Sequence, residues 1–219
     1  MIRLDRRARA LALCLAALAG YVDAVGFVQI GGFFVSFMSG NSTRLAVGIV
    51  NHAADWIKAA ALIFAFFFGV VGGSLVGRRF ARRHKAVLAA VTVMLVVAAA
   101  GAQLGWIMVS ALALAFAMGA ENATFERDGE VLIGLTYMTG TLVKAGQRIA
   151  GAVSGEDPRA WIPHMILWLS LIAGAVAGAA MHAHFGVFAL WLAVLIAGIC
   201  CAAAGALDNQ PAESTASHA

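Results

Sequence analysis

Five long stretches of this chain carry almost no charge, and each is long enough to cross a lipid bilayer. They cover residues 10–30, 57–77, 86–123, 162–181 and 185–206. About 20 apolar helical residues span the ~30 Å hydrocarbon core, so residues 86–123 are too long for a single crossing. Gly101 and Gly105 divide that stretch into a predicted helical hairpin. We therefore expect an all-α polytopic membrane protein with six full transmembrane helices.

The composition excludes the soluble alternative. Hydrophobic residues make up 62% of the 219 positions and charged residues only 12%, whereas a soluble domain carries about 25% charged residues. The three cysteines lie within apolar runs and lack the spacing of a metal site. No catalytic signature is recognisable. We expect no enzyme activity, no metal and no cofactor.

Basic residues predict the orientation. Nine of the fifteen Lys and Arg residues fall in two runs, namely Arg3, Arg6, Arg7 and Arg9, and then Arg78, Arg79, Arg82, Arg83 and Lys85. Such runs flank membrane helices on the cytoplasmic side, so they indicate orientation rather than nucleic-acid binding. We expect both termini and residues 78–85 to lie in the cytoplasm.

A seven-residue pattern occurs twice, one hundred positions apart. Met38-Ser-Gly-Asn-Ser-Thr-Arg44 corresponds to Met138-Thr-Gly-Thr-Leu-Val-Lys144. The correspondence continues in the same order, from Gly20, Asp23, Trp56, Gly69 and Gly73 to Gly119, Asn122, Trp161, Gly174 and Gly178. We predict one membrane domain over residues 1–206, made of two like halves at 1–103 and 104–206, with a disordered tail at 207–219.

The two motif segments, residues 33–50 and 131–152, decide the topology. If both crossed the bilayer, one basic run would lie outside the cell. If the first dips in and returns, both runs are cytoplasmic, which the positive-inside rule favours. Each half then crosses three times, so the second half is inserted upside down. The sequence predicts an inverted-topology repeat, an arrangement common among secondary transporters.

The polar residues of the motif segments predict a binding site. Ser39-Gly40 and Thr139-Gly140 look like breaks at which half-helices begin, and helix N-termini attract anions. We predict that the two breaks lie close together inside the bundle and form a site for a small anionic solute that uses both segments. Its candidate residues are Asp23, Ser39, Gly40, Asn41, Arg44, Asn122, Thr139, Gly140, Thr141 and Lys144. In the alternative, the two cations only extend to opposite membrane interfaces.

Two acidic residues bear on this site. Asp23 lies well inside the first helix, where a carboxylate normally has a partner or a function. It either pairs with Arg44 as a structural lock or carries a coupling proton or cation. Glu121, beside Asn122 at the matching end of the fourth span, is expected to be interfacial and solvated.

Two longer patterns resemble a known family. They are Gly20-Tyr-Val-Asp-Ala-Val-Gly-Phe27 with Gly31-Gly32 and Met38-Ser-Gly-Asn41, and Glu121-Asn-Ala123 with Thr136-Tyr-Met-Thr-Gly-Thr-Leu142. Together they resemble the YoaK family of bacterial membrane proteins, grouped as DUF1275, over residues 10–206. That family more often has Thr at the position of Ser39 and Gln at that of Glu121. The resemblance implies a small multi-pass protein of the bacterial cytoplasmic (inner) membrane and no particular activity.

Three classes of function stay open. A secondary transporter or permease for a small solute is favoured, because inverted repeats with polar interruptions are typical of transporters. A non-transporting membrane assembly or sensor component is the alternative, because symmetric repeats can serve packing alone. An intramembrane enzyme is third, since no nucleophile and base are recognisable. The expected partners are the lipid bilayer and a small-molecule solute; a homo-oligomer stays open, and no nucleic acid is expected.

Overall fold

A computed structural model describes residues 6–127, 130–131, 134–136 and 138–208. The helices of this part of the chain are α1 Arg6–Gln29, α2 Met38–Val50, α3 Asp55–Arg79, α4 Arg83–Gln103, α5 Ile107–Glu121, α6 Met138–Val153, α7 Ile162–Phe185 and α8 Ala189–Leu207. Two 3₁₀ turns, Asn122–Phe125 and Gly186–Phe188, continue α5 and precede α8. A short antiparallel pair, β1 Glu126–Arg127 with β2 Glu130–Val131, follows α5. Most of the predicted tail, and Arg3 of the first basic run, lie outside the described residues.

Length and apolar composition identify five segments that can cross a membrane. Four are α1, α3, α4 and α5 with its 3₁₀ turn, and the fifth, Ile162–Gly205, contains both α7 and α8. In contrast, α2 has 13 residues and α6 has 16, which at 1.5 Å per residue is too short to cross about 30 Å of hydrocarbon. The chain is a multi-pass α-helical membrane protein.

The hairpin predicted within residues 86–123 is confirmed. α4 ends at Gln103 and α5 begins at Ile107, so only a short turn joins them. The motif helices also begin where the repeated pattern begins, at Met38 and Met138. Local sequence therefore predicts most helix boundaries closely, because the apolar runs and the glycine breaks both act over short distances.

Close helix pairs join the two halves of the chain. α1 packs against α7, where Gly174 faces the carbonyl oxygen of Ala17. α3 packs against α5, where Gly69 faces the carbonyl oxygen of Phe116. At both places a Cβ atom would collide with the facing backbone, so only glycine allows this approach. Gly69 and Gly174 are repeat-related, so the two interfaces are built from equivalent positions.

The same interfaces define helix direction. Gly174 lies against Ala17 and Gly178 lies against Tyr21, so residue numbers rise together and α1 and α7 are parallel. In α3 and α5 the contacts of Gly69 with Phe116 and of Gly73 with Ala120 rise together in the same way. Each half therefore contributes one helix to each of two parallel, closely packed pairs.

Both basic runs lie at one end of the bundle, which we call the basic end. After α8, Asp208 accepts the backbone N–H of Lys85 at 3.0 Å, and its carboxylate lies 2.6 Å from the His84 ring. The end of α8 therefore meets the start of α4. α1 runs antiparallel to α8, because Tyr21 donates to the carbonyl of Ala189 at 2.8 Å while Cys14 contacts Cys200. The arginines at the start of α1 thus lie at the same end.

Candidate functional site

The first motif segment reverses direction within the bundle. After α1, Gly31 and Gly32 have φ values of 68° and 89°, which glycine adopts without strain, and the chain turns back. The Asn41 amide then holds the returning backbone: its Oδ1 accepts the N–H of Phe34 at 3.0 Å, and its Nδ2 donates to the carbonyl of Phe34 at 2.6 Å. Such a short side chain can bond the backbone seven residues earlier only if the two legs lie side by side. Residues 33–50 therefore form a hairpin of a non-helical leg, residues 33–37, and a short helix, here called the first hairpin.

Asp23 of α1 fixes the tip of the first hairpin. Its Oδ1 accepts the backbone N–H groups of Val35 and Ser36, both at 2.8 Å. These donors lie just before the first turn of α2, where free N–H groups and the helix dipole favour a negative charge. The N–H groups of Val35 and Ser36, just before this half-helix, are therefore bonded to the protein's own carboxylate.

The predicted lock between Asp23 and Arg44 is wrong. Arg44 lies further along α2, with its guanidinium carbon 4.7 Å from the centroid of the Phe33 ring, and it forms no ion pair with Asp23. The reason is geometric: the backbone N–H groups of residues 35 and 36 lie within hydrogen-bonding distance of the Asp23 carboxylate and bond it in place of Arg44. Arg44 instead lies beside the non-helical leg and makes a cation–π contact with Phe33.

A shallow cavity of about 300 Å³ opens beside Arg44, between α2 and the start of α3. Phe33, Thr43, Asn51 and Asp55 also line it. Asp55 pairs with Lys58 at 3.1 Å, which leaves Arg44 without a carboxylate partner among the described residues. The cavity therefore offers a half-buried cation, an aromatic ring and polar side chains.

Asn122 takes the position of Asp23 in the second half. It is buried, its Oδ1 accepts the hydroxyl of Thr136 at 3.1 Å, and its Nδ2 donates to the carbonyl of Met118 at 2.9 Å. Thr136 precedes α6 as Ser36 precedes α2, and the two positions are repeat-related. Both halves thus tie the chain before a short helix to a side chain of an inner helix. The first half uses a carboxylate and the second a neutral amide.

The predicted meeting of the two motif helices inside the bundle is wrong. α2 packs against α3 and α6 packs against α7, and the described residues show no substantial packing between α2 and α6. Short turns hold each motif helix against the helix that follows it. The inner positions are taken by α1 and α5, the most buried of the membrane spans.

The predicted site residues accordingly fall into three groups. Buried or bonded to backbone are Asp23, Asn41, Asn122 and Thr141; half-buried are Gly40 and Arg44; exposed are Ser39, Thr139, Gly140 and Lys144. Asp23 and Asn41 hold the first hairpin, Asn122 bonds Thr136 before α6, and of the predicted site residues only Arg44 lines the described cavity. Among the described residues no group of three or more His, Cys, Asp or Glu side chains could hold a metal ion.

Glu121 departs from the sequence prediction. Its exposure is 0%, and neither carboxylate oxygen has a hydrogen-bond partner among the described residues. The expectation of a solvated, interfacial residue is wrong because the helical path continues through Phe125 and the polar end of the segment is Glu126. The repeat could have predicted this burial, because Glu121 corresponds to Val22, a fully buried residue of α1.

Glu126 follows the 3₁₀ turn after α5 and belongs to a charged cluster at the basic end. It accepts the hydroxyl of Ser74 at 2.6 Å and pairs with Arg78 at 3.3 Å and Arg83 at 3.0 Å. Burial raises the pKa of Glu126, but the Ser74 hydrogen bond and the two arginine charges outweigh it and hold the pKa below its usual range. The ion-paired form therefore persists at neutral pH and is lost only as the pH falls through this lowered pKa.

Known proteins are similar to this sequence over most of its length. A family described as "Protein of unknown function (DUF1275)" matches residues 11–203, a range that contains both motif segments. A UPF0700 transmembrane protein from Rhizobium meliloti (strain 1021) is 37% identical over 163 residues, which are 74% of this chain and 70% of the relative. No solved structure shows significant similarity to the chain.

Proposed function

The chain belongs to the DUF1275 family of proteins of unknown function, and on that premise we propose that it is a secondary transporter or permease for a small solute. One observation carries this proposal: at repeat-related positions, the non-helical chain before each motif helix is bonded to a polar side chain of one of the two most buried spans. In the first half the backbone N–H groups of Val35 and Ser36 bond Asp23, and in the second half the Thr136 hydroxyl bonds Asn122. Backbone of this kind at membrane depth is tolerated where it is buried in protein or lines a water-filled cavity. Transporters use such discontinuous segments as solute sites.

An inverted repeat with six full crossings is part of the proposal. Three observations on helix direction support it. α1 begins at the basic end, whereas its repeat partner α5 ends there, next to Glu126. α4 begins at the basic end, whereas its partner α8 ends there. α3 ends at that end, whereas its partner α7 runs parallel to α1. Each repeat-related pair thus runs in opposite directions.

We place the protein in the bacterial cytoplasmic membrane with the basic end inside, because clustered Arg and Lys are retained in the cytoplasm. In a variant without native cysteines, we expect Ala81→Cys to resist a membrane-impermeant thiol reagent applied to whole cells. Ala53→Cys, in the exposed turn between α2 and α3, should react. Labelling after permeabilisation checks that residue 81 is reactive. Labelling of residue 81 but not of residue 53 in whole cells would reverse the orientation.

Arg44 supports an anionic solute. It is half-buried, lines the cavity at the first hairpin and lacks a carboxylate partner among the described residues. Electrostatic attraction is stronger in such surroundings than in bulk water. Lys144, its counterpart, is exposed on α6 and stays a predicted contact for the second motif segment.

The Arg44→Gln variant tests this site. We expect it to weaken binding of an anionic solute about tenfold, equivalent to about 1.4 kcal/mol, with little change in thermal stability. A thermal-shift screen of small anions and neutral metabolites selects the solute, and flux into proteoliposomes measures transport. Arg148→Gln, which removes an exposed cation of α6, is the matched control. Equal flux in the Arg44→Gln and Arg148→Gln variants would show that Arg44 does not belong to the solute site.

A non-transporting assembly or sensor component is the second candidate. The observation that favours it is that Asp23 and Asn41 both bond the protein's own backbone, as purely structural groups do. Sealed proteoliposomes that accumulate none of the solutes bound in the thermal-shift screen would favour this candidate. Enzymatic, cofactor-dependent and nucleic-acid-binding roles form no part of either proposal.

A further inference from the structure

Glu121 is set apart from the other acidic residues of the bundle by its lack of partners. Asp23 accepts two backbone N–H groups, Glu126 has Ser74 and two arginines, and Asp208 caps the start of α4. Glu121 is fully buried, both of its oxygens are unpartnered among the described residues, and it is in none of the ion pairs found there. A carboxyl group in such a place within a membrane protein usually has a function.

Packing alone does not require this carboxyl. The repeat places Val22 of α1 at the position of Glu121, and Val25 at the position of Thr124. Both valines are fully buried, and the Thr124 hydroxyl, like the Glu121 carboxyl, is buried without a partner among the described residues. One half of the protein thus fills this place with two apolar side chains. The other half carries an acid and a hydroxyl at the corresponding positions, which are buried as well.

Few titratable groups face Glu121. Cys200 of α8 interacts with it electrostatically, and Cys14 of α1 lies beside Cys200. Of the charged or titratable residues that α3 and α4 present near this end, Arg78 and Arg83 pair with Glu126, and Arg83 also donates to the carbonyl of Ala123. The His84 ring lies against Asp208. Tyr21 of α1 is bonded to the backbone of α8. No described cation therefore balances a negative charge on Glu121.

We propose that Glu121 is a proton-binding site, at which the protein takes up and releases a proton from the basic end of the bundle. An ionised carboxylate without a partner is strongly disfavoured in apolar surroundings, so the packed arrangement seen here favours the proton-bound acid. Release of the proton requires a second arrangement in which water or a donor group reaches the carboxylate. Protonation and helix arrangement are then linked, and each biases the other by the same free energy.

Coupling of this proton to solute movement rests on the transport function proposed above, whereas proton binding does not. Proton binding can therefore be measured without a solute. Infrared difference spectra of purified protein in lipid, recorded between acidic and alkaline pH, report the C=O band of each carboxylic acid that loses its proton. Among the bands of the wild type, we expect one that is absent in Glu121→Gln and retained in Glu130→Gln, which removes an exposed carboxyl.

The infrared and flux measurements test proton binding and transport separately. Identical difference spectra for the wild type and Glu121→Gln, with both proteins monodisperse on gel filtration, would overturn the proposal. In the flux assay, a pH gradient should drive accumulation by the wild type, while Glu121→Gln should retain only solute exchange. If the wild type transports nothing, the transport proposal fails and the infrared result still decides whether Glu121 binds a proton. If Glu121→Gln still accumulates solute on the pH gradient, the coupling role is wrong.

Discussion

Replacing Gly174 by alanine is expected to destabilise the bundle by about 3 kcal/mol, at the upper end of the range for overpacking. The new Cβ atom would collide with the carbonyl oxygen of Ala17. Because that atom belongs to helix backbone, no side-chain rotation can relieve the collision, and α1 and α7 must separate. The repeat predicts a loss of similar size for Gly69→Ala, whose Cβ atom would meet the Phe116 carbonyl of α5.

Thermal unfolding in detergent, followed by gel filtration, measures this loss. Gly198→Ala on α8 is the matched control, since nothing lies within 4 Å of a Cβ atom there, and alanine favours a helix over glycine. We expect that control to be neutral or slightly stabilising. Equal midpoints for the Gly174 and Gly198 variants would show that the contact between α1 and α7 is looser than described.

Replacing Asp23 by alanine is expected to destabilise the first hairpin by about 2 to 4 kcal/mol, because two backbone N–H groups lose their acceptor and each unsatisfied donor costs about 1 to 3 kcal/mol. Asp23→Asn should cost less, because an amide oxygen still accepts, as Asn122 does in the second half. The order of stability should be wild type, then Asn, then Ala.

Hydrogen exchange at residues 33–37 and the thermal midpoint together measure this order. Arg44→Gln is the informative comparison: a lock between Asp23 and Arg44 would make loss of either partner destabilising, whereas the observed contacts predict that only Asp23 matters. Unchanged hydrogen exchange at residues 33–37 in Asp23→Ala would mean that this carboxylate does not hold the first hairpin. That result would favour the other role predicted for Asp23, that of a group carrying a coupling proton or cation.

Some features of this molecule are visible in its sequence because they depend on short-range order. The apolar runs predict the long helices, since a buried or lipid-facing helix needs about 20 apolar residues. The glycines at positions 69, 73, 174 and 178 mark the close helix contacts, since only a missing side chain allows two backbones to touch. The hundred-residue repeat relates Met38 to Met138, and both short helices begin there.

Other features depend on which elements meet, and local sequence does not determine that. The sequence by itself determined a helical membrane protein in which a repeated pattern places a polar interruption twice. Only the tertiary structure decided that α1 pairs with α7 and α3 with α5, that Asp23 bonds the backbone of residues 35 and 36 instead of Arg44, and that Glu121 is buried. The physical reason is that the packing of the helices decides which donor, if any, comes within reach of a polar side chain inside a bilayer. That donor is set by contacts between segments far apart in the chain.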